Sequence, residues 1–532
     1  MANILILIGL IIIICIFCNK ISFKIGVPVL LGFILLGMLF GSDGIFRIPF
    51  ENFKFAEQFC SIALIFIIFY GGFGTNWKEA KQVAPASLLL SSIGVLCTAL
   101  LVGLFCRFIL HFNILESFLI GAVLSSTDAA SVFSILRSKK LNLKYKTASM
   151  LELESGSNDP WAYMLTIIIL SLMEGTHNPG PIIYLIFAQI CWGILFGCLI
   201  AWTASWVFRH IKFESSGLDS VFMIAIAILS YALPTALSGN GYLSAYIVGI
   251  VLGNQPIGNK KALVHFFDGL TSLAQMVIFF MLGLLAFPSQ IPAILLPAAA
   301  IAVFLTFIAR PITILGILSP FKAKLSQQAI VAWSGLRGAT SIVFAIIATV
   351  SPAYTKNDVF HIVFCIVLLS IGIQGTLLPI LSKKLKMIDN QENVLKTFND
   401  YKKETDILFL RLQLKESHDW NQQLIKDITL PPKTRIVMIF RNTDKIIPKG
   451  DTKLETDDIL ILSAIGYEDD QDILLTEIKI HKNHKLCGQP LSSLAWKKST
   501  AVLIKRGSQS IIPYGSSILH ENDILVVASD EH

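Results

Sequence analysis

Apolar stretches long enough to cross a lipid bilayer recur about thirteen times over the first 382 residues. The 532-residue chain is 54% hydrophobic and only 15% charged, which is typical of polytopic membrane proteins and not of soluble ones. Stretches of this length predict helices, because a helix satisfies its own backbone hydrogen bonds in lipid. The predicted spans are 3–19, 25–41, 58–74, 84–110, 115–136, 147–174, 181–208, 219–237, 241–254, 264–287, 291–318, 326–350 and 357–382.

Basic residues are shared unevenly between the loops that join these spans. If the tail after the last span is cytoplasmic, thirteen spans place the N-terminus outside. Every inner loop then carries lysine or arginine, whereas the outer loops carry only Arg47, Lys54, Arg107 and Lys356. The positive-inside rule therefore predicts a cytoplasmic (inner) membrane protein with an outer N-terminus and a cytoplasmic tail. Lipids are expected partners, and the net charge of +7 requires no nucleic acid because most basic residues fall in short loops.

The sixth span contains the polar run LELESGSNDPW, residues 151–161. Glu154 and Asn158 share one helix face, and Ser155 and Asp159 share the neighbouring face. Ionisable groups in the hydrocarbon region cost free energy, so they usually mark a substrate or proton pathway. A pair of buried acids neutralised for packing, or an interfacial helix end, is the alternative interpretation. Pro160 interrupts the hydrogen-bond ladder and frees carbonyls that could face an ion.

Two further spans carry polar interruptions at their centres. Span five contains the segment 125–128 (SSTD), and in span twelve two glycines flank Arg337 in the segment 333–341, which predicts a broken helix. Corresponding interrupted segments in two halves are typical of transporters built from inverted repeats. Arg337 needs a partner in a low dielectric, and Glu154 is the nearest candidate by type. The depth of Arg310 in span eleven is left open.

The composition changes after Lys386, and we predict a linker over 386–405 between a transmembrane domain (1–385) and a duplicated tail. The segment that begins at Val437 recurs, displaced by 65 residues, at Val502. Short β-like runs between turn residues predict two small α+β modules, 406–465 and 470–530. The fold class expected is therefore a polytopic α-helical membrane protein with interrupted crossing helices and two small cytoplasmic modules.

The residues in several of these segments resemble the monovalent cation:proton antiporter family of the NhaP type, and more closely its potassium/proton branch. The resemblance is carried by SSTDAASVFSIL (125–136), ESGSNDP (154–160), LSGNGYLSAYIVGIVLGN (237–254), MLGLLAFPS (281–289), ARP (309–311), SGLRGATSI (334–342) and LLSIGIQGTLLP (368–379). The tail modules resemble the TrkA-C type of regulatory domain. No glycine-rich dinucleotide fold precedes them, so NAD binding is not expected.

This resemblance implies roles for the polar residues. Asp159 would carry the cation and the proton alternately, and Ser155 and Thr127 would complete the monovalent cation site. Asp128 would polarise the crossing point, and Glu154 and Arg337 would form a buried ion pair that orients Asn158. The family often has an acid where this chain has Tyr70, so the pathway would hold one fewer anionic ligand.

The expected function is secondary active exchange of a monovalent cation, K⁺ in preference to Na⁺, for H⁺. Since Arg337 and Glu154 would offset each other, the exchange would be electroneutral. A ligand-gated potassium channel or uptake subunit is the alternative, but no filter-like loop occurs. An enzyme is disfavoured, because the sequence shows no nucleophile–base pair or metal motif. No cofactor is expected beyond a small-molecule or nucleotide regulator bound by the tail. A dimerisation or folding cap is an equally open interpretation of the tail, and a homodimer is expected.

Overall fold

The computed structural model describes residues 2–389 and 407–529 with short gaps. The gaps are at 26–27, 76, 140, 176–178, 212–215, 256, 258–259, 354, 417, 432–433, 442–443, 466–473, 482–483, 485, 494–498, 507–508 and 512. Most of the predicted linker therefore lies outside the described residues. The chain divides into two compact units, Met1–Lys403 and Glu404–His532, and each is considered separately.

The elements described in the first unit are helices, joined by loops that include an isolated β-bridge between Leu143 and Ile388. Its helices are α1 (Ala2–Ile25), α2 (Val29–Phe40), α3 (Phe53–Gly74), α4 (Trp77–Ala80), α5 (Ala84–Ser91), α6 (Ile93–Phe108), α7 (Ile114–Val123), α8 (Ala129–Ser138), α9 (Thr147–Met173), α10 (Pro179–His210), α11 (Ser216–Thr235), α12 (Gly241–Gly253), α13 (Lys260–Leu285), α14 (Ile291–Phe304), α15 (Arg310–Leu318), α16 (Leu325–Trp333), α17 (Ala339–Val350), α18 (Val359–Leu369) and α19 (Thr376–Lys384).

Each of the thirteen predicted spans coincides with a helix or a pair of helices. Seven helical stretches are long and apolar enough to cross a membrane, and shorter apolar helices occupy five other spans. These helices confirm a multi-pass α-helical membrane protein, whereas the number of crossings and the side on which the chain begins stay predictions.

The predicted interruptions are present in two spans. The segment 124–128 separates α7 from α8, and 334–338 separates α16 from α17. Two other spans contain a π-helical turn, Leu305–Ala309 between α14 and α15 and Ser370–Gly375 between α18 and α19. A π-turn inserts one residue into a helix and rotates the side chains that follow it, and such turns often occur at functional sites. All four irregular segments belong to spans that build the site described below.

Close packing of helices surrounds this region. A Cβ at Gly249 of α12 would lie 2.2 Å from the backbone oxygen of Phe69, and one at Gly253 would lie 2.1 Å from that of Phe73. Only glycine permits α12 to approach α3 so closely. Phe69 and Phe73 stack on each other, and both are fully buried. The position of α3 beside the site is thus fixed by backbone contact.

The second unit consists of two similar antiparallel sheets, ordered β1-β4-β2-β3 and β5-β8-β6-β7. Their strands are β1 (Ile407–Gln413), β2 (Arg435–Arg441), β3 (Asp444–Ile446), β4 (Ile459–Ile465), β5 (Leu474–Lys479), β6 (Ser499–Arg506), β7 (Gln509–Ile511) and β8 (Ile524–Ser529). The described residues of each sheet add only a 3₁₀ turn, so the helical part that the sequence predicted is small.

The duplication extends to individual contacts. Arg441 pairs with Asp458 at 2.8 Å, and Arg506 pairs with Asp523 at the same distance. Asp458 is fully buried, and Asp523 is almost fully buried. Each pair joins the last residue of one strand (β2 or β6) to the residue just before another strand of the same sheet (β4 or β8). The two modules therefore share the same ion pair at the same position.

Candidate functional site

Helix α9 carries the polar run that the sequence singled out. It continues without a break through Pro160, and Glu154, Asn158 and Asp159 are all buried within it. Three buried polar side chains within six residues of one membrane helix require partners on the facing segments. Those partners come from the two interrupted spans.

The two interruptions cross in contact with each other. The backbone N–H of Asp128 donates to the carbonyl of Leu336 at 2.8 Å. A Cβ at Gly338 would lie only 2.1 Å from Asp128 Oδ2, so the crossing requires glycine there. Asp128 also accepts hydrogen bonds from the backbone N–H and hydroxyl of Ser131, at 3.2 and 2.5 Å. Its carboxylate therefore caps α8 at the positive end of the helix dipole.

The side chain of Arg337 binds backbone carbonyls at the C-terminal end of α7. Its guanidinium donates to the carbonyl of Leu124 and, at 2.6 Å, to that of Ser126, just past the last residue of α7. These carbonyls lack partners within their own helix, and a cation is favoured at a helix C-terminus. The backbone N–H of Arg337 donates to Ser370 Oγ at 3.1 Å, which ties the crossing to the π-turn of the last span.

The ion pair of Glu154 is made with Arg310 and not with Arg337. Arg310 Nη2 lies 2.5 Å from Glu154 Oε1, and both side chains are almost fully buried. A Cβ at Gly335 would lie 2.6 Å from Arg310 Nε, so the absence of a side chain at Gly335 gives Arg310 its room. The predicted Glu154–Arg337 pair was wrong because the carbonyls at the end of α7 occupy Arg337.

Asp159 lies between the two interrupted spans. Its carboxylate accepts from the hydroxyl of Ser126 on Oδ1 and from that of Thr340, at 3.3 Å, on Oδ2. No basic side chain forms an ion pair with Asp159 among the residues that the structure describes. A buried carboxylate held by two hydroxyl groups can exchange one of these contacts for a proton or a cation.

The neighbouring residues Ser155, Thr127 and Asn158 form one hydrogen-bonded cluster. Ser155 Oγ donates to the carbonyl of Thr127 at 2.7 Å and accepts from the backbone N–H of Ala129 at 2.9 Å. Asn158 Nδ2 donates to Thr127 Oγ1 at 2.6 Å. Asn158 Oδ1 is buried and accepts no hydrogen bond from the described residues. These side chains place several oxygen atoms beside the unwound backbone, as a hard monovalent cation requires.

The charges of this region do not cancel. Arg337 and Asp128 sit at opposite ends of the half-helix dipoles, and Arg310 neutralises Glu154. Two guanidinium groups thus face three carboxylates, and Asp159 carries the negative charge in excess. One proton or one monovalent cation at Asp159 would restore neutrality.

The sequence profile described as "Sodium/hydrogen exchanger, transmembrane" matches residues 8–384, which is most of the chain. The chain belongs to the sodium/hydrogen exchanger family. The TrkA-C domain profile matches twice in the tail of this exchanger, over 410–465 and 475–532.

Curated relatives of the exchanger share substantial sequence identity. It is 36% identical over 387 residues to the K(+)/H(+) antiporter NhaP of Alkalimonas amylolytica, covering 72% of this chain and 67% of the relative. It is 31% identical over 448 residues to the K(+)/H(+) antiporter NhaP2 of Shewanella baltica (strain OS223), covering 83% of this chain and 77% of that protein. The resemblance stated from the sequence is confirmed.

The fold is shared with a solved structure of the sodium proton antiporter MjNhaP1 from Methanocaldococcus jannaschii. The TM-score is 0.62 at 24% sequence identity, and the match covers 69% of this chain and 97% of that chain. The exchanger therefore has the helical antiporter fold that the interrupted spans predicted.

The structure brings together most of the residues that the sequence selected, including Asp159, Asn158, Ser155, Thr127 and Asp128. Three contributors had not been assigned a role: Ser126 and Thr340, which bind the carboxylate of Asp159, and Arg310, which binds Glu154. Ser126 and Thr340 belong to the polar interruptions, so this pattern is the signal that could have identified them.

Tyr70 lies in α3, and its hydroxyl donates to a carboxylate oxygen of Asp268 in α13. The sequence had indicated that Tyr70 leaves the pathway with one fewer anion. The structure places another carboxylate directly beside it, on a different helix.

Proposed function

We propose that the protein exchanges one monovalent cation, K⁺ in preference to Na⁺, for one proton by alternating access, with Asp159 as the shared binding group. The position of Asp159 carries this proposal: it is buried, it lies at the crossing of two broken helices, and no arginine or lysine neutralises it among the described residues. Sites between half-helices at the centre of a repeat are where secondary transporters bind their substrates. The relatives named K(+)/H(+) antiporters support K⁺.

In this mechanism the cation and the proton compete for one carboxylate. When Asp159 is protonated, its contacts with Ser126 and Thr340 remain available. When the proton leaves, a cation binds Asp159 together with oxygens from Ser155, Thr127 and Asn158. Asp128 stabilises the crossing at each stage. The site never has to accommodate both ligands, because either one satisfies the excess charge.

The charge balance further supports electroneutral exchange. The proton-loaded and cation-loaded sites carry the same net charge, since Arg310 and Arg337 offset Glu154 and Asp128 in both. A carrier that crosses with the same charge in either direction moves no net charge per cycle. The membrane potential would then exert no driving force on the exchange.

We further propose that the protein is a homodimer in the cytoplasmic membrane, with its N-terminus outside and its tail inside. The basic residues of the predicted inner loops support this orientation. The tail would regulate transport through a small cytoplasmic ligand, which the two TrkA-C matches support. Cutting the chain after Lys386 tests this role: altered control of transport in a still-assembled protein is expected, and unchanged control would contradict it.

Proton flux in inside-out vesicles tests the exchange itself. K⁺, Na⁺, Li⁺ and Rb⁺ are added in turn across pH, and the proposal predicts cation-dependent proton movement with the largest response to K⁺. An imposed membrane potential should leave the rate unchanged. Cation flux without proton movement would overturn antiport and favour a channel, and a rate that follows the potential would overturn electroneutrality.

A further inference from the structure

A stripe of polar side chains runs along one flank of α13, the tenth predicted span. It consists of His265, Asp268, Ser272 and Gln275, spaced three or four residues apart. Residues at this spacing lie on one face of a helix, and the four cover about 15 Å of its length. The first three are exposed and the fourth is partly exposed. We call this set the α13 polar stripe.

The stripe lies within a segment that is predicted to cross the membrane. Residues 262–285 form a helix long and apolar enough to span a bilayer, and Asp268 is the sixth residue after its start. A carboxylate in contact with hydrocarbon is costly, so ionisable residues in such helices almost always face a water-filled cavity or the interior of the bundle. Leu273, next to Ser272 but off the stripe, is 43% exposed, which indicates that lipid contacts a different part of this helix.

Tyr70 anchors the middle of the stripe. Its hydroxyl donates to Asp268, and its ring stacks on Phe267 with centroids 6.1 Å apart and planes 11° from parallel. Both rings are buried, whereas Asp268 is an exposed residue. The contact therefore holds the negative charge of Asp268 in a fixed position beside the buried rings of Tyr70 and Phe267.

The end of α13 that carries the stripe lies at the same side of the helical unit as the start of α9. Lys260, the first residue of α13, donates to the carbonyl of Gly253 at the end of α12. At the end of α3, the carbonyl of Thr75 accepts from Asn254 at 2.8 Å. The short helix α4 that follows packs through Ala80 against Leu153 of α9. The predicted topology makes this side cytoplasmic.

A short chain of contacts leads from Tyr70 toward Asp159. A Cβ at Gly72, half a turn from Tyr70, would lie 2.5 Å from the backbone oxygen of Tyr246. The hydroxyl of Tyr246 accepts from Ser157 Oγ at 3.3 Å, two residues before Asp159. By helix rise, Asp268 is about 12 Å from the start of α13, and Asp159 is about 18 Å from the start of α9. Asp268 is exposed whereas Asp159 is buried, so Asp268 is the more accessible of the two carboxylates.

We propose that Asp268, held by Tyr70, is the entry carboxylate of the cytoplasmic cation path, and that the α13 polar stripe lines this path. The ligand is a hydrated monovalent cation, which the carboxylate would attract without removing its water. The charge raises the local cation concentration at the mouth, and Asp159 binds the cation deeper in the protein. The inference rests on the proposed exchange function and adds to it a residue that governs apparent affinity.

Asp268→Asn tests this role in inside-out vesicles at low ionic strength. The KM for K⁺ should rise roughly three- to tenfold while kcat stays within about twofold. The substitution weakens the attraction of cations to the entrance of the path and leaves Asp159 intact. The increase in KM should shrink as an impermeant salt is added, since salt screens the attraction. Asp268→Glu should restore the wild-type KM. Tyr70→Phe, which removes only the hydroxyl, should raise KM by a smaller factor.

Asp444→Asn is the matched control, because Asp444 is exposed in the tail and its removal changes the net charge equally. Its KM should equal that of the wild type. An unchanged KM in both Asp268→Asn and Tyr70→Phe would overturn the inference, as would a fall in kcat with KM unaltered. If the asparagine variant fails to assemble, Tyr70→Phe and the labelling below decide the matter.

Thiol labelling tests the water-filled path without measuring transport. Ser272→Cys and Leu273→Cys are made in a chain whose nine native cysteines have been replaced. A charged, membrane-impermeant thiol reagent added to the cytoplasmic side should modify the cysteine at 272 and leave that at 273 unmodified. Protection of both positions, or equal labelling of both, would overturn the inference. If the wild type exchanged no ions, the proposed function would fail whatever the labelling showed.

Discussion

Arg310 and Glu154 form a buried ion pair, with Nη2 of the arginine 2.5 Å from Oε1 of the glutamate. The pair joins α9, which carries Asp159, to the helix that follows the π-turn at Leu305–Ala309. It leaves Arg337 to bind the carbonyls at the end of α7, so each arginine has a separate structural role. Among the described residues Asp159 and Asp128 have no cationic partner, but Asp128 caps α8 through Ser131, whereas Asp159 is bound only by the hydroxyls of Ser126 and Thr340.

A double-mutant cycle tests this pair. Glu154→Gln or Arg310→Gln alone leaves a buried charge without its partner, and we expect either to destabilise the protein by about 3–5 kcal/mol. The double variant removes both charges and should be more stable than either single variant. Thermal unfolding in detergent measures the effect. Additive losses in the double variant would contradict the pairing, and the combination of Glu154→Gln with Arg337→Gln serves as the control, which should not recover stability.

Arg337→Lys should abolish most transport although it keeps the charge. Nη1 of Arg337 donates to the carbonyls of both Leu124 and Ser126, and the lysine side chain is shorter and more flexible, so its ammonium ends short of that position. The expected result is at least a tenfold loss of exchange rate in vesicles at normal expression. Wild-type exchange by the lysine variant would show that charge alone suffices at the crossing.

Gly338→Ala should disrupt the crossing, because the added Cβ would lie 2.1 Å from Asp128 Oδ2. We expect loss of exchange together with a lower unfolding temperature, since backbone on both sides would have to shift. Gly316→Ala is the control: it adds the same methyl group to a membrane helix where nothing lies within 4 Å. Equal behaviour of the two variants would argue against a close crossing.

The tail should lose stability in acid through Asp523. Hydrogen bonding from Arg506 holds the pKa of Asp523 below its ordinary value. A carboxyl whose folded pKa is lowered contributes stability that is present above its unfolded pKa, near 4, and is lost as pH falls through the folded value. Asp523→Asn should therefore increase hydrogen exchange in β6 and β8 at neutral pH, and the difference from wild type should shrink as the pH falls below about 4. A difference that persists in acid would contradict this account.

The sequence predicted the helical spans and both interruptions because apolar length and central polar residues are local signals. It also selected Asp159, Asn158 and Ser155, since buried acids and hydroxyls in a membrane helix are rare. The partner of Glu154 was not predictable in this way. The π-turn before Arg310 changes which face of the helix that arginine occupies, and Gly335 opens the space it needs.

The contact between Tyr70 and Asp268 was equally beyond the sequence. It depends on how α3 packs against α13, and the two residues are 198 positions apart. The sequence recorded only that Tyr70 stands where an acid is common in the family. The sequence argument considered α3 alone, so it did not identify the carboxylate that Asp268 of α13 supplies.

We propose that Asp159 carries both the cation and the proton. The most direct measurement is K⁺-driven proton movement in inside-out vesicles containing Asp159→Asn at wild-type abundance, with the Asp444→Asn control in parallel. An amide neither ionises nor attracts a cation as a carboxylate does, so we expect no exchange above that of empty vesicles. Exchange at the wild-type rate would contradict it.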